Sequence, residues 1–227
     1  SSAPAESSVT PTPAFTVEPN SSRPLLLVIE DNADIWDYLR QCLQPYFRLE
    51  YASNGETGIT KAFELIPDLI LTDVAMPVKD GYELTSILKS DERTSHIPIT
   101  ILTAKVEYQD RMEGHRRGAN AYLTKPFEAS ELLLVLQNLL HLQQQWKHRY
   151  ADYIKLQKKQ ETSDFSPEEV SIEDQFMQRL QETFAQHYMD DSFNLDRLCR
   201  TLNISSSQLD RKLKVLTNQS PMLMLRT

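Results

Sequence analysis

Between Pro24 and about residue 142, short apolar runs alternate with helical patterns five times, and this alternation restricts the fold more than any other feature of the chain. Leu25–Ile29 is an apolar run, and residues 33–44 set Ile35, Leu39, Cys42 and Leu43 on one helical face. Phe47–Ala52 alternates as a strand, and Asn54-Gly55 turns into a helix carrying Ile59, Ala62, Phe63 and Ile66. A strand at Asp68–Thr72, a helix near 81–90, a strand at Ile97–Leu102, a helix near 106–117, a strand at Ala121–Thr124 and a helix from Glu128 complete the series. Successive βα units of this kind predict an α/β fold, a five-stranded parallel sheet with helices on both faces. Apolar strands without alternation suit a sheet buried on both sides.

The chain on either side reads differently. Residues 1–23 are rich in Ser, Pro, Ala and Thr and lack periodicity, which is the composition of a disordered linker. From Ser130 to about Lys159 there is neither Pro nor Gly, so the last helix of the α/β unit is expected to run on as a helical linker over 143–169. Its stripe of Leu136, Leu139, Leu140, Leu142, Trp146, Tyr150, Tyr153 and Ile154 suits either a plain connector or a dimerising helix. After the break at Thr162–Pro167 the pattern is all-helical. A helix near 172–188 buries Ile172, Phe176, Leu180, Thr183, Phe184 and His187 or Tyr188. A second near 194–202 carries Leu195, Leu198, Cys199 and Leu202, and a third carries Leu209, Leu213 and Leu216. The tight turn Asn203-Ile204-Ser205, with Ser205 or Ser206 as N-cap, makes the last two a helix-turn-helix candidate.

Polar groups follow four of the strand runs: Glu30-Asp31, Asp73, Thr103 and Lys125-Pro126. In a parallel sheet these ends share one edge, where open α/β folds bind ligands. Taken singly, an Asp after a strand is a cap or turn residue, and Lys-Pro is an ordinary loop. Jointly they bring three carboxylates, a hydroxyl and a lysine to one place. With no His or Cys in the set, Glu30, Asp31 and Asp73 suit a hard cation, Mg2+ before zinc. A carboxylate can accept a phosphoryl group as an acyl phosphate. Lys125 would then offset its charge and Thr103 would donate to one of its oxygens.

The runs Leu-Val-Ile-Glu-Asp-Asn, Leu-Thr-Asp-Val-Ala-Met-Pro, Leu-Thr-Ala-Lys and Leu-Thr-Lys-Pro-Phe make residues 24–142 resemble a response-regulator receiver domain, which has a flavodoxin-like doubly wound sheet. The resemblance implies that Asp73 accepts phosphate from the phosphohistidine of a histidine kinase. It also implies Mg2+ ligation by Glu30, Asp31, Asp73 and the Ala75 backbone carbonyl, phosphoryl sensing by Thr103, pairing by Lys125, and an aromatic switch at Tyr122. A cis bond before Pro126 is common in that family. Tyr122 read by itself is equally a half-buried sheet aromatic.

Residues 170–227 resemble the first part of an AraC-type DNA-binding domain, through Leu198–Asn203, Ser206–Lys214 and Leu216–Pro221. The resemblance implies a recognition helix with Ser207, Gln208, Arg211 and Lys212 facing outward to DNA; Gln suits adenine, Arg suits guanine and Lys suits phosphate. The second helix-turn-helix unit of that family is absent from these residues, so DNA binding is expected to be weak or absent. Asp210 stands where the family often has an aromatic. A receiver joined through a helix to such a unit also resembles the C-terminal end of hybrid two-component sensors of bacteria, a reading that the missing initiator Met and the low-complexity start favour.

Charge agrees with two kinds of partner. Residues 1–145 carry 12 Lys+Arg against 20 Asp+Glu, whereas residues 146–227 carry 12 of each. Arg197, Arg200, Arg211, Lys212 and Lys214 face only Asp210 between positions 197 and 214. No run reaches the roughly 18–20 apolar residues of a bilayer span. No secretory signal stands at the start, and two cysteines, Cys42 and Cys199, read as buried free thiols of a reducing cytoplasm. The expectation is a two-component regulator that takes phosphate on Asp73, dimerises through the surface near the fourth helix and last strand, and controls transcription, with no membrane contact by this segment. Two rivals stand beside it. One is a phosphorylation-dependent interaction module without DNA binding. The other is an aspartate-nucleophile phosphohydrolase, disfavoured because Ala75 stands where many such enzymes place a second Asp.

Overall fold

The computed structural model describes residues 23–104, 118–157, 171–187, 193–217 and 219–225. Five parallel strands stand in the order β2-β1-β3-β4-β5: β1 Leu25–Ile29, β2 Arg48–Ala52, β3 Leu69–Asp73, β4 Ile99–Thr103 and β5 Ala121–Thr124. Helices α1 (Ala33–Leu43), α2 (Gly55–Leu65), α3 (Gly81–Ser90) and α4 (Ala129–Gln157) connect or follow them. The helix expected near 106–117, and the surface it would share with β5, lie outside the described residues, as do residues 1–22 of the linker expected at 1–23 and the Thr162–Pro167 break.

Successive residues of the central strands point to opposite faces. Leu27, Ile29, Ile70, Ile99 and Ile101 face Ala62 of α2 and Leu84 and Leu88 of α3. Leu26, Val28, Leu69, Leu71, Leu102 and Leu123 face Leu39 and Leu43 of α1 and Leu132, Leu136 and Leu139 of α4. Both faces are covered over β1, β3 and β4, so these strands have no exposed polar face to alternate with, whereas the edge strand β2 alternates. Strand β4 starts two residues later than its apolar run, because Pro98 has no N–H to give, although its carbonyl still accepts from Ile70 N at 3.0 Å. Each of the first three helices starts on a side-chain cap. Asn32 accepts from Asp34 N and Ile35 N, Asn54 from Thr57 N, and Asp80 forms a reciprocal capping box with Glu83.

Helix α4 continues without a break to Gln157, and no described helix is long and apolar enough to cross a membrane. Beyond it, α5 (Ile172–Gln186), α6 (Leu195–Leu202), α7 (Ser206–Thr217) and the short α8 (Pro221–Leu225) build a second core. Phe176, Met177, Leu180, Leu198, Leu202, Ile204, Leu209, Leu213 and Leu216 fill it. Asn203 takes a left-handed conformation (φ 52°) between α6 and α7, and Ser205 caps α7 by exchanging bonds with Gln208. Tyr188 lies outside the described residues. Of the two thiols, Cys199 is buried but Cys42 only half-buried, which corrects the expectation for Cys42: its turn of α1 lies at the margin of the face on the sheet.

The outward orientation expected for Lys212 is not found. Its side chain is fully buried, with the ammonium 4.5 Å from the Phe176 ring centroid and donating to the Glu92 carbonyl. Gln208 is half-buried and donates to the Phe63 carbonyl at 2.7 Å, and Arg211 is half-buried. Ser207 alone of the four is exposed. The physical reason is helical geometry: Lys212 follows Leu209 by three residues and precedes Leu216 by four, so it flanks the apolar stripe rather than opposing it.

Candidate functional site

The C-terminal edge of the sheet gathers the polar groups picked out from the sequence. Asp73 and Thr103 close β3 and β4, while Glu30 and Lys125 immediately follow β1 and β5. Because β1, β3, β4 and β5 are successive neighbours in the sheet, all four residues stand on one edge. The register pairs Asp73 with Leu102 and Thr103 with Thr124, and the Lys125 N–H donates to the Thr103 carbonyl at 2.7 Å. The Lys125-Pro126 bond is cis.

Lys125 ties the carboxylates together. Its ammonium lies 3.0 Å from Asp73 Oδ1 and 3.1 Å from Glu30 Oε2. Glu30 is almost wholly buried, at 1% exposure, and its other oxygen accepts the Asn32 N–H at 3.2 Å. Burial raises the Glu30 carboxyl above its ordinary value and the Asp73 charge adds to this, while bonding to Lys125 acts in the opposite direction. Asp31 is exposed at the rim. One oxygen from each of Glu30, Asp31 and Asp73 can be chosen so that all lie within 4.8 Å of one another. An all-oxygen anionic set of that size fits Mg2+, which takes a few carboxylate oxygens and completes its shell with water and phosphate oxygens. Ala75 is exposed beside this group, in the loop between β3 and α3. Thr103 is buried, and Tyr122 is half-buried against the core on the α2–α3 side.

Sequence reasoning read Gly55 only as a turn residue and passed over Gly81 and Val78, which shape this loop. A Cβ on Gly81 would lie 2.2 Å from the Asp73 carbonyl oxygen, and one on Gly55 would lie 2.4 Å from the Lys79 carbonyl oxygen. The start of α3 therefore presses on the backbone of Asp73, and the Asp80-Gly81 pair ahead of a helical run was the signal available. Val78 has φ 73° and is 73% exposed, with the Lys79 N–H donating to the Pro77 carbonyl at 2.9 Å across it. A β-branched residue in that region is a true backbone outlier, and nothing in the sequence announces it.

Known proteins share these features. The response regulator receiver domain family matches residues 26–137. The chain is 38% identical over 118 residues to the DNA-binding dual master transcriptional regulator RpaA of Synechocystis, covering 52% of this chain and 49% of that one. It is 28% identical over 199 residues to a histidine kinase of Formosa agariphila, covering 86% of this chain and 14% of the kinase. The chain thus spans half or less of the length of these relatives. Among solved structures, the receiver domain of a Pseudomonas aeruginosa sensor histidine kinase, described with a magnesium ion coordinated in its active-site cleft, matches with a TM-score of 0.50 and 30% identity, over 53% of this chain and 99% of that one. The sheet order, the acidic edge with its lysine, and these likenesses agree: residues 26–137 are a response regulator receiver domain, a signalling module.

Proposed function

We propose that Asp73 is the phosphoacceptor of a two-component signalling chain, and that the observation carrying this is the Lys125 ammonium shared between Asp73 Oδ1 and Glu30 Oε2. Receiver domains accept phosphoryl groups from histidine kinases. In the step proposed here, an Asp73 carboxylate oxygen attacks phosphorus, the bond from phosphorus to the donor imidazole nitrogen breaks, and an acyl phosphate forms while the imidazole keeps the electron pair. Lys125 sits where negative charge accumulates on the transferred group. The Thr103 hydroxyl, at the end of the neighbouring strand, donates to a phosphoryl oxygen, and Tyr122 follows the movement of Thr103. Glu30 and Asp31, with Asp73 and the Ala75 carbonyl, would hold Mg2+, which when bound supplies positive charge to the phosphoryl oxygens.

The output we propose is transcriptional. Phosphorylation shifts a pre-existing equilibrium of the receiver and favours a homodimer, and α6 and α7 act as a helix-turn-helix on DNA. The exposed Arg197, Arg200 and Lys214 support a polyanionic partner, and the resemblance to RpaA supports a transcriptional role. The likeness to the Formosa kinase runs well beyond the receiver, which supports an origin at the C-terminal end of a hybrid sensor. A second reading, an interaction module without DNA binding, draws support from the burial of Lys212. Adding beryllofluoride with Mg2+, as a phosphoryl mimic, tests the proposal. A rise in dimer by light scattering together with tighter binding to duplex DNA supports it, a dimer without DNA binding leaves the second reading, and neither change refutes both.

A further inference from the structure

Among the described residues β2 ends the sheet, so one side of its backbone has no neighbouring strand. Its ladder shows which groups stand on that side. The Arg48 N–H donates to the Pro24 carbonyl at 2.9 Å, and the Ala52 carbonyl accepts from the Glu30 N–H at 3.1 Å, both toward β1. The bonding side alternates along a strand, so Leu49 and Tyr51 turn their N–H and C=O groups to the open edge. There the Tyr51 carbonyl accepts from the Lys61 ammonium at 2.7 Å.

An open cleft of about 890 Å³ runs along this edge and takes Arg48, Leu49, Glu50 and Tyr51 into its wall. On the α1 side its wall is Leu49 and the Tyr51 ring, which stacks on Trp36 with centroids 4.5 Å apart. Cations gather around it. Residues 23–104 carry seven Lys and Arg against thirteen Asp and Glu, yet four of those seven, Arg23, Arg40, Arg48 and Lys61, line this one cleft. Arg23 donates to the Gln44 carbonyl, Arg40 pairs with Asp37, and Lys61 lies 3.5 Å from Glu50. Arg48 is exposed and makes no side-chain bond with a described residue. Mixed charges on a sheet edge ward off other strands. A cluster mostly of one sign beside an aromatic wall instead suits an extended segment that is apolar on one face and acidic on the other.

The chain supplies such a segment next to the cleft. Arg23 belongs to the wall, and the 22 residues before it carry Glu6 and Glu18 but no Lys or Arg. Ala14-Phe15-Thr16-Val17-Glu18 is a run bounded by Pro13 and Pro19, aromatic and β-branched at its centre and as long as the five-residue β2. Pro19-Asn20-Ser21-Ser22 has the composition of a turn. We propose that Ala14–Glu18 adds to β2 as an antiparallel strand, held by the Leu49 and Tyr51 backbone groups and by a Glu18–Arg48 ion pair. With Glu18 opposite Arg48, Val17 falls opposite Leu49 and Phe15 opposite Tyr51 on the aromatic side, while Thr16 falls opposite Glu50. The connection from Glu18 to Pro24 then crosses two strand spacings, about 10 Å, which a chain of that length spans with ease. Because the Ala52 carbonyl holds the Glu30 N–H, the strand so covered is the one that steadies the backbone of the acidic site.

The experiment uses the full chain and reads amide hydrogen exchange residue by residue by NMR, with Glu50, whose N–H faces β1, as the internal reference. Val17→Pro removes the donor that the Leu49 carbonyl would receive. The Leu49 and Tyr51 amides are expected to exchange at least about tenfold more slowly in the parent than in Val17→Pro, with Glu50 unchanged. An unchanged Glu50 shows that the sheet itself is intact. Glu18→Arg and Arg48→Glu are each expected to lose protection severalfold, and the double variant Glu18→Arg, Arg48→Glu to recover it. Leu49 and Tyr51 exchanging equally fast in the parent and in Val17→Pro overturns the proposal and leaves the charges as guards of a bare edge. Protection that grows with chain concentration overturns it in favour of a second copy as the occupant. Protection lost in Val17→Pro but indifferent to both charge variants overturns the Glu18–Arg48 pair and the register with it.

Discussion

Replacing Lys125 by Met separates two roles that the site geometry assigns to one ammonium. At 3.0 and 3.1 Å from two carboxylate oxygens, each attraction is about 5 kcal/mol at an effective dielectric of 20 and about 1.4 kcal/mol in water. With the lysine side chain 20% exposed, and the ammonium itself partly desolvated, the net holding energy is about 1–3 kcal/mol. That energy opposes any second cation that needs the same oxygens. Lys125→Met is therefore expected to tighten Mg2+ by about tenfold to a hundredfold, at 1.4 kcal/mol per tenfold. The same change removes a positive charge from the transferred phosphoryl group, and phosphorylation by a small phosphodonor is expected to slow by about a hundredfold or more. Calorimetric titration of Mg2+ reads the first effect and a phosphorylation time course reads the second. Asp31→Asn, which removes an oxygen anion without touching the lysine, is the control and is expected to weaken Mg2+. If Lys125→Met weakens Mg2+ as Asp31→Asn does, the picture of a lysine competing with the metal is wrong.

Three further outcomes follow from single features. Val78→Gly relieves a left-handed β-branched residue and is expected to stabilise the receiver by about 1 kcal/mol, read as a higher urea midpoint. Gly81→Ala drives a Cβ into the Asp73 carbonyl oxygen and is expected to destabilise by about 1–3 kcal/mol and to slow phosphorylation, since the backbone of the acceptor must move. Burial lowers the Lys212 ammonium from its ordinary 10.5 to about 8, with Glu173, Glu92 and Asp91 opposing the shift, and Arg179 adding to it. A group that holds its proton less tightly when buried against Phe176 and the Glu92 carbonyl than when free makes that packing of α7 stronger as pH rises from about 8 to about 10.5, and nearly flat below 8. Hydrogen exchange of α7, corrected for its intrinsic pH dependence, is expected to show growing protection across that window.

The receiver was legible because its chemistry is local to strand ends. Once Leu25–Ile29, Leu69–Thr72 and Ile99–Leu102 are strands of one parallel sheet, Glu30, Asp73 and Thr103 must share an edge, and periodicity suffices to find them. Side chains that meet across the fold are another matter. Gln208 meets the Phe63 carbonyl over 145 positions, and no local pattern announces such a partner. Lys212 was half legible: its spacing from Leu209 and Leu216 marks the margin of the apolar stripe, but charge alone argued for solvent. Val78 was illegible in principle, since propensity places Gly or Asn at a left-handed turn and the loop overrides it. The glycines lie between these cases, because Asp-Gly marks a turn yet not the backbone it presses against.

The central claim is that Asp73 alone receives the phosphoryl group. Incubating the chain with a small phosphodonor and Mg2+, trapping the acyl phosphate by borohydride reduction and mapping the product by peptide mass spectrometry tests it directly. The account predicts a single modified site, on the peptide containing Asp73, and no modification in Asp73→Asn. A phosphoryl group mapped to Glu30, Asp31 or any other residue of the parent chain, or one that persists at full yield in Asp73→Asn, would contradict it.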